Sequence, residues 1–381
     1  MRIASLAIAL SIIGSAPAQA DQERLLVLSG KEHALILVDP NTGQREALFR
    51  VGLGPEDVAV SKDGRTAVVT NRGDELSGTT ITVLDLAANK VARTITLEVR
   101  HTRPDGTEQV RRYHRPTGVT FLEGRGKVVV ACAGEGALLL IDLETGRVEG
   151  ELRLDSRDPL RTIVGHGGRY AFVTSATSGT VSVVDTTTMR IVRTIEAGGG
   201  ATGIALHPTL DEAWVVNAEV NSISIIDTKE MVEVVEFACG AMPTDIAFTL
   251  DGRFALVTNM QEGNISVFDA KTRRVHTVVD LETVTQELAD SRPAPTAGSF
   301  GKSAFPTRLL MHPSGKSAFV ATLRNDRVTE IDLATWRPLR KLDVPQLPAS
   351  MAWSQIASGA VGARAVPSPE ELRRAVGETG K

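Results

Sequence analysis

Residues 251–269 read DGRFALVTNMQEGNISVFD, and the chain has used nearly the same phrase upstream. Residues 63–71 read DGRTAVVTN, and TVLD follows at 82–85. In both places a turn containing glycine precedes an apolar strand that ends in Thr-Asn, and a further strand ends in Asp. Repetition at a distance indicates an architecture built from equivalent units. The period of the repeat therefore decides the fold.

An aspartate closes an apolar strand once in each unit. Consecutive aspartates lie about 42 residues apart over most of the chain, with an insertion in two places. An Asp at the start of a turn accepts hydrogen bonds from backbone N–H groups two or three residues on, so these residues are predicted to be structural. They are Asp39, Asp85, Asp142, Asp185, Asp227, Asp269 and Asp332.

Each unit contains four short apolar strands separated by turns rich in Gly, Pro or Asp, which is typical of a β-propeller blade. The chain starts with RLLVLS (24–29) and ALILVD (34–39), which look like second and third strands without a first. It ends with PASMAWS (348–354), a first strand without the rest. These pieces are predicted to combine into one blade. We therefore expect an all-β, seven-bladed propeller over residues 21–354, its ring closed by the N-terminal strands.

The two ends of the chain fall outside the repeat. Residues 1–20 have a basic start, an apolar run and a small-residue end, which predicts a signal peptide cleaved near Ala20. The alternative is an N-terminal membrane anchor. No segment of the mature chain approaches transmembrane length, so a periplasmic or secreted protein is expected. Residues 355–381 are expected to be a C-terminal tail that is either a short helix or disordered.

The second strands carry a family resemblance. VVTN (68–71), VVNA (215–218) and LVTN (256–259), with SIID or SVFD behind two of them, resemble the YVTN-repeat β-propeller family apart from the first letter. The resemblance covers nearly the whole mature chain. It implies an exported or periplasmic seven-bladed protein, often without assigned catalysis. Some members of that family accompany quinoprotein dehydrogenases and c-type cytochrome systems.

Departures from the repeat are the better functional candidates, because the scaffold does not require them. Threonine is the usual residue where the innermost strand of a blade begins, as at Thr117 and Thr202. Glu56, Arg161 and Arg308 break that pattern and are predicted to surround the mouth of the central channel. Buried charges need solvent, each other or a ligand. Either these residues pair with each other, or Arg161 and Arg308 hold a small anionic ligand.

The loops on the same rim offer further candidates. Arg72, His33 and His114 are predicted ligand contacts there. The first insertion, residues 98–116, is rich in arginine and is read either as a solvated hairpin or as a cationic lid that docks a partner. His33, His101 and His114 are a weak alternative as metal ligands, because their spacing follows no helical or finger-like pattern. No metal is predicted.

The second insertion contains Phe300 and Phe305, which are expected to cover a ligand or touch a partner from a rim loop. No catalytic, nucleotide-binding or heme-attachment motif occurs in the sequence, and no cofactor is expected. A net charge of −4 and few aromatic residues argue against nucleic-acid binding.

The sequence thus predicts a non-enzymatic periplasmic scaffold that presents its rim to a protein partner or a small anionic ligand. An accessory role beside a quinoprotein or cytochrome c system is what the resemblance adds. The alternative is a lactonase-like hydrolase at the channel mouth. There Glu56 or His114 would be the acid–base group, and Arg161 or Arg308 would stabilise the anion.

Overall fold

The computed structural model describes residues 22–282, 300–344 and 346–357. Within these ranges the chain forms seven four-stranded antiparallel sheets and one two-stranded sheet. A single 3₁₀ turn, His166–Gly168, is the helical element of the described chain. No helix in these ranges is long and apolar enough to cross a membrane.

The strands follow one another in regular order along the chain, and every blade uses four of them. In the first part of the chain they are β1 (Gln22–Ser29), β2 (Ala34–Val38), β3 (Arg45–Arg50), β4 (Pro55–Val60), β5 (Thr66–Gly73), β6 (Ser77–Asp85), β7 (Lys90–Thr96), β8 (Glu98–Thr102), β9 (Glu108–Arg112), β10 (Pro116–Leu122), β11 (Lys127–Cys132), β12 (Ala137–Asp142), β13 (Arg147–Arg153), β14 (Pro159–Gly165), β15 (Tyr170–Ser175), β16 (Thr180–Asp185) and β17 (Arg190–Glu196). The remaining strands are β18 (Ala201–Leu206), β19 (Glu212–Asn217), β20 (Ser222–Asp227), β21 (Val232–Ala238), β22 (Pro243–Phe248), β23 (Phe254–Asn259), β24 (Asn264–Asp269), β25 (Arg274–Asp280), β26 (Pro306–Met311), β27 (Ser317–Thr322), β28 (Arg327–Asp332), β29 (Arg337–Asp343) and β30 (Pro348–Ile356).

The seven-bladed propeller predicted from the repeat is confirmed. Six blades run in chain order from β4 to β29, and β8 and β9 stand outside them as a separate hairpin. The seventh blade has the order β3-β2-β1-β30, with Gln22 opposite Ile356 and Leu28 opposite Ser350. The ring is therefore closed as expected, by N-terminal strands that pair with a C-terminal one. The predicted signal peptide lies outside the described residues, as does the predicted tail (355–381) from residue 358 onward. Gln355 and Ile356, which were assigned to that tail, are instead the last residues of β30.

Each blade buries its second and third strands and exposes its fourth. In the fifth blade β23 and β24 are almost wholly buried, whereas β25 is mostly exposed. Because blades stack face to face, both faces of the middle strands are covered, which explains their near-continuous apolar runs. Trp214 is fully buried between the fourth and fifth blades, with its ring centroid 5.2 Å from that of Phe248. The core is thus divided among the spaces between blades.

The repeated aspartates and asparagines hold the backbone of the blades. Asp332, for example, accepts hydrogen bonds from the N–H groups of Ala334 and Thr335, at 3.0 and 2.6 Å. The Asn41 N–H does the same for Asp39 and holds the pKa of that carboxyl below its usual value. Each of the seven aspartates accepts at least one such bond from its own turn.

The asparagine that ends a second strand lies beneath the loop that enters its blade. Asn71 accepts a hydrogen bond from the Gly52 N–H at 3.0 Å and donates to two threonines of β6. Asn259 occupies the equivalent place, where a Cβ on Gly240 would come within 2.3 Å of its amide. Both side chains are at most 1% exposed. The repeated Asn therefore braces the scaffold.

The ends of both insertions are packed into the scaffold. Tyr113, directly after β9, is 3% exposed in the core between the first two blades, and its hydroxyl donates to Glu151 of β13. Phe300 and Phe305 are buried beside Met260, with their ring centroids 5.0 Å apart. The expectation that these phenylalanines cover a ligand is replaced by a packing role. Residues 283–299 of the second insertion lie outside the described chain.

Candidate functional site

The innermost strands place seven equivalent residues in one layer around the central channel. The pairing registers define the layer, since Asp57 lies opposite Thr70 and Asp245 lies opposite Thr258 in their own blades. We call these residues the charged layer, because four of the seven carry a formal charge. In ring order they are Asp57, Gly118, Arg161, Gly203, Asp245, Arg308 and Ser350.

The residue before each member of the charged layer is usually a threonine that ties neighbouring blades together. Its hydroxyl donates to the carbonyl that begins the next innermost strand. The three such pairs are Thr117 to Pro159 at 2.7 Å, Thr202 to Pro243 at 3.4 Å and Thr244 to Pro306 at 3.1 Å. The fourth threonine, Thr307, has a buried hydroxyl without a partner in the described chain. Glu56 takes this position in the first blade.

The structure shifts Arg161 by one position relative to the sequence alignment. That alignment placed Arg161 beside the threonines, but the strand pairing aligns Leu160 with them instead. The sequence alignment overlooked the proline that begins most innermost strands; aligning Pro159 with Pro116 places Leu160 beside the threonines. Arg161 and Arg308 therefore share one layer with two aspartates.

On one side of the channel the charges of the layer form ion pairs, although Nη1 of Arg161 makes no hydrogen bond there. The Asp57 carboxylate accepts a hydrogen bond from the Val119 N–H at 3.2 Å and another from the Ser350 hydroxyl at 2.9 Å. Nη1 of Arg161 lies 3.3 Å from Oδ1 of Asp57, and Nη2 lies 3.8 Å from Oε1 of Glu56. These charged side chains are at least 74% buried. Mutual ion pairing therefore accounts for two of the three predicted channel residues, Glu56 and Arg161.

Gly118 makes this arrangement possible. It lies between Asp57 and Arg161 in the layer, and a Cβ there would come within 2.8 Å of the Leu160 carbonyl oxygen and the Thr162 nitrogen. Its missing side chain lets β10 and β14 pack closely, and Arg161 reaches past it to the first blade. A side chain at this position would force the two strands apart.

On the other side Asp245 makes the same backbone contact but lacks a cationic partner. Its Oδ2 accepts a hydrogen bond from the Leu309 N–H at 2.9 Å, as Asp57 does from Val119. No arginine of the described chain lies within ion-pair distance of it. Burial raises the pKa of Asp245 to about 6, although the Leu309 N–H and the charge of Arg161 both act to lower it.

Arg308 is the counterpart of Arg161 without a carboxylate. It is 8% exposed, and its Nε donates to the Ala349 carbonyl at 3.1 Å. Within the described residues its two terminal nitrogens have no hydrogen-bond or ion-pair partner. A guanidinium that is mostly shielded from water by the protein favours a paired anion or further acceptors. Arg308 is therefore the incomplete member of the charged layer.

The predicted rim histidines do not converge. His33 accepts a hydrogen bond from the Gly54 N–H at 3.2 Å, while His101 lies 3.4 Å from Glu151. His114 lies 2.6 Å from Glu135 through Nδ1. No group of three or more His, Cys, Asp or Glu side chains in the described ranges is arranged to hold a metal ion. The weak metal alternative built on these three histidines is therefore not supported by their positions.

The arginines of the β8–β9 hairpin are mostly neutralised locally. Arg100 lies 2.9 Å from Glu98, Arg112 lies 3.4 Å from the same carboxylate, and Arg111 lies 3.4 Å from Glu151. The hairpin is tied to the outer strand of the second blade through Glu151. Three of the five arginines of residues 98–116 therefore have carboxylate partners, which favours the solvated hairpin over the cationic lid.

Arg72 lies at the rim end of β5, and its N–H donates to the Gly54 carbonyl at 2.9 Å. Its Nε is buried without a hydrogen-bond partner in the described chain.

The residues proposed for a hydrolase do not form one cluster, because His114 pairs with Glu135 whereas Glu56 faces Arg161. Asp245 and Ser350 were missed as site residues, and a correct alignment of the seven innermost strands is the signal that reveals them.

Comparison with known proteins places the chain in a family. Residues 79–292, more than half of the sequence, match the model of the cytochrome D1 heme domain. The chain belongs to the cytochrome D1 heme domain family. The likeness to the YVTN-repeat family remains a resemblance of sequence motifs, because the family model that matches is that of the cytochrome D1 heme domain. No curated protein sequence matches the chain.

The solved structures that share the fold of this cytochrome D1 family member include the following two. One is a functionally unknown protein from Desulfotomaculum acetoxidans, with 12% identity and a TM-score of 0.68; the match covers 87% of this chain and 98% of that one. The other is hydrazine synthase from Kuenenia stuttgartiensis, with 15% identity, a TM-score of 0.63 and coverage of 81% and 96%. At these identities the likeness concerns the fold alone.

Proposed function

We propose that the protein is a non-catalytic binding propeller that takes a small anionic ligand in its central channel and serves a redox system. The observation that carries the proposal is Arg308. Its guanidinium is buried among the innermost strands with one backbone hydrogen bond and no carboxylate partner. Arginine is suited to holding a carboxylate or similar oxyanion through two parallel hydrogen bonds. An anion from solution would supply the missing acceptor.

Arg161 supports the same site without being its main donor. Its charge is already shared between Glu56 and Asp57. It lies in the same layer as Arg308 and neutralises part of the negative charge that would otherwise repel an anion from the channel. Arg72, at the rim, has a buried Nε without a partner in the described residues and adds a third cation near the entrance.

The redox association and the location are supported less directly. The family is named for a heme domain, and the fold is shared with hydrazine synthase. The N-terminal sequence has the features of a cleaved signal peptide, which supports a periplasmic location. A protein partner would meet the rim, where the insertions lie.

The anion site is tested by calorimetric titration of the purified protein with acetate, comparing Arg308→Gln with Arg103→Gln. Arg103 lies on the exposed hairpin and contacts Gln109, so its variant makes the same charge change away from the channel. Binding in the wild type and in Arg103→Gln, with at least a tenfold loss in Arg308→Gln, is expected. Equal binding by both variants would overturn the proposal.

Heme is a second candidate ligand, and His114 is the observation that favours it. Heme iron is held in proteins by His, Cys, Met or Tyr. None of these occurs in the charged layer or among the residues just before it. At the rim, Nδ1 of His114 faces the Glu135 carboxylate at 2.6 Å, which leaves Nε2 with its lone pair. A carboxylate behind a histidine is the usual arrangement of a metal-bound imidazole.

The residues therefore fit a heme at the rim and not inside the channel layers. His114 would bind the iron, Glu135 would fix its ring, and Arg72 is a rim cation suited to a heme carboxylate. His33 is a poorer ligand, because its Nδ1 is used by the Gly54 N–H and the neutral ring then carries its proton on Nε2. A bound heme would supply electron transfer at the iron.

The heme candidate is tested by titrating hemin and following its visible absorption band. A shifted band that is lost in His114→Ala and kept in His101→Ala is expected. His101 is the matched control, since it also faces a carboxylate but lies on the hairpin. A band that is equally perturbed in both variants would remove His114 from the site.

A further inference from the structure

The Asp245 side of the charged layer holds three polar groups whose bonding capacity the described protein does not use. Arg308 is 8% exposed, and within the described chain Nε is the one guanidinium nitrogen with a hydrogen-bond partner. The Thr307 hydroxyl, directly before it, is buried and unpaired, although three equivalent threonines bond to the next blade. The Asp245 carboxylate receives one backbone hydrogen bond and has no arginine within ion-pair distance.

These groups come from adjacent innermost strands. Asp245 is on β22, and Thr307 and Arg308 are on β26. Asp245 and Arg308 are register neighbours in the charged layer, yet no oxygen of one lies within 4.0 Å of a nitrogen of the other. The Asp245 carboxylate is held toward β26 by the Leu309 N–H, and the Arg308 side chain is held toward β30 by the Ala349 carbonyl, so the layer offers a carboxylate and a guanidinium from neighbouring strands that do not pair with each other.

A simple anion does not suit both groups. It would satisfy Arg308 but meet the negative charge of Asp245, which repels it. A neutral alcohol would satisfy Asp245 and leave the guanidinium bare. A molecule with a carboxylate and a neighbouring hydrogen-bond donor matches both, because its carboxylate faces Arg308 while its donor faces Asp245.

We propose that the channel binds a small 2-hydroxy- or 2-amino-carboxylate, with its carboxylate on Arg308 and its donor on Asp245. This inference rests on the proposed anion site and names its ligand class. The Asp57 side does not compete for the ligand, because the charge of Arg161 there is already shared by two carboxylates. The Asp57 side of the charged layer thus has a structural role, and the Asp245 side selects the ligand.

Calorimetric titrations at pH 7.5 with glycolate, acetate and glycolamide test the ligand class. We expect glycolate to bind at least tenfold more tightly than acetate, because the hydroxyl group satisfies Asp245. Glycolamide, which lacks the charge, is expected to give no measurable binding. Arg308→Gln is expected to lose glycolate binding at least tenfold, and Arg103→Gln is expected to keep it.

Asp245→Asn provides an independent readout that does not depend on Arg308. Its amide oxygen can keep the Leu309 bond, and its NH₂ group can only donate to the ligand hydroxyl, so a neutral hydrogen bond replaces a charge-assisted one. The tenfold preference for glycolate over acetate should therefore shrink, mainly because acetate binds more tightly. Circular dichroism of both channel variants checks that the propeller is folded.

The outcomes separate the two proposals. Acetate binding as tightly as glycolate, with dependence on Arg308, overturns the hydroxy-carboxylate inference and leaves the anion site standing. An unchanged preference for glycolate in Asp245→Asn also overturns the inference. Failure of the wild-type protein to bind either carboxylate overturns both.

Discussion

Asp57 and Asp245 occupy the same position in two different blades, and only one of them is neutralised. Each accepts a hydrogen bond from the backbone of the next innermost strand, at 3.2 and 2.9 Å. Asp57 also has the Ser350 hydroxyl and the Arg161 guanidinium, whereas Asp245 has neither. The shared bond is the requirement of the scaffold. What differs is whether the charge has a partner, and the unpaired Asp245 carboxylate is where we propose that a ligand binds.

The largest expected difference between the two sides concerns their arginines. Arg161→Met would leave Glu56 and Asp57 buried without their cation and should reduce the free energy of unfolding by about 4 kcal/mol. Arg308→Met removes a buried guanidinium that has no carboxylate partner and should change stability by less than about 1 kcal/mol. Urea unfolding of the two variants measures this directly. Similar losses in both would break the comparison.

The second expected effect is a pH dependence that belongs to Asp245. Its pKa in the folded protein, about 6, lies above the unfolded value of 3.8. The folded protein therefore binds this proton more tightly than the unfolded chain does. As a result, the contribution of Asp245 to the free energy of unfolding is greatest below about pH 4 and is lost as the pH rises through 6.

Comparison with Asp245→Asn isolates that effect. Between pH 4 and pH 7.5 the wild type should lose about 2 to 3 kcal/mol of unfolding free energy relative to the variant. Chemical denaturation at several pH values provides the measurement. A difference that stays constant across this range would show that Asp245 has the same pKa in the folded and the unfolded protein.

The smallest expected effect concerns the threonines that precede the charged layer. Thr117→Val removes a buried 2.7 Å hydrogen bond and should cost about 1 kcal/mol of unfolding free energy. Thr307→Val removes a hydroxyl that has no partner in the described chain, so it should be neutral or slightly stabilising. Thermal unfolding of the two variants distinguishes them. An equal loss would indicate that Thr307 also ties blades together.

Much of the fold follows from the sequence because its determinants repeat. The aspartate turns and the bracing asparagines do the same work in several blades, so their period identifies the unit and their number gives the ring. The incomplete first and last blades predict the closure through β1 and β30. Propeller geometry then places the innermost strands around a channel.

The site follows from the sequence only in part. Glu56, Arg161 and Arg308 stand out because they break a repeat. Asp245 does not stand out, because it follows the usual threonine, and only an alignment of all seven innermost strands places it in one layer with Asp57. The pairing of Arg161 with Asp57 also spans two blades across a glycine. Burial, which raises the pKa of Asp245, is a property of the assembled ring.

A crystal structure of the protein grown with glycolate tests the central claim most directly. The account predicts a carboxylate within hydrogen-bond distance of the Arg308 guanidinium, a hydroxyl on Asp245, and an unchanged Asp57–Arg161 pair. A channel without glycolate, in which Arg308 has turned to pair with Asp245, would contradict the account, because both sides of the charged layer would then be complete without a ligand.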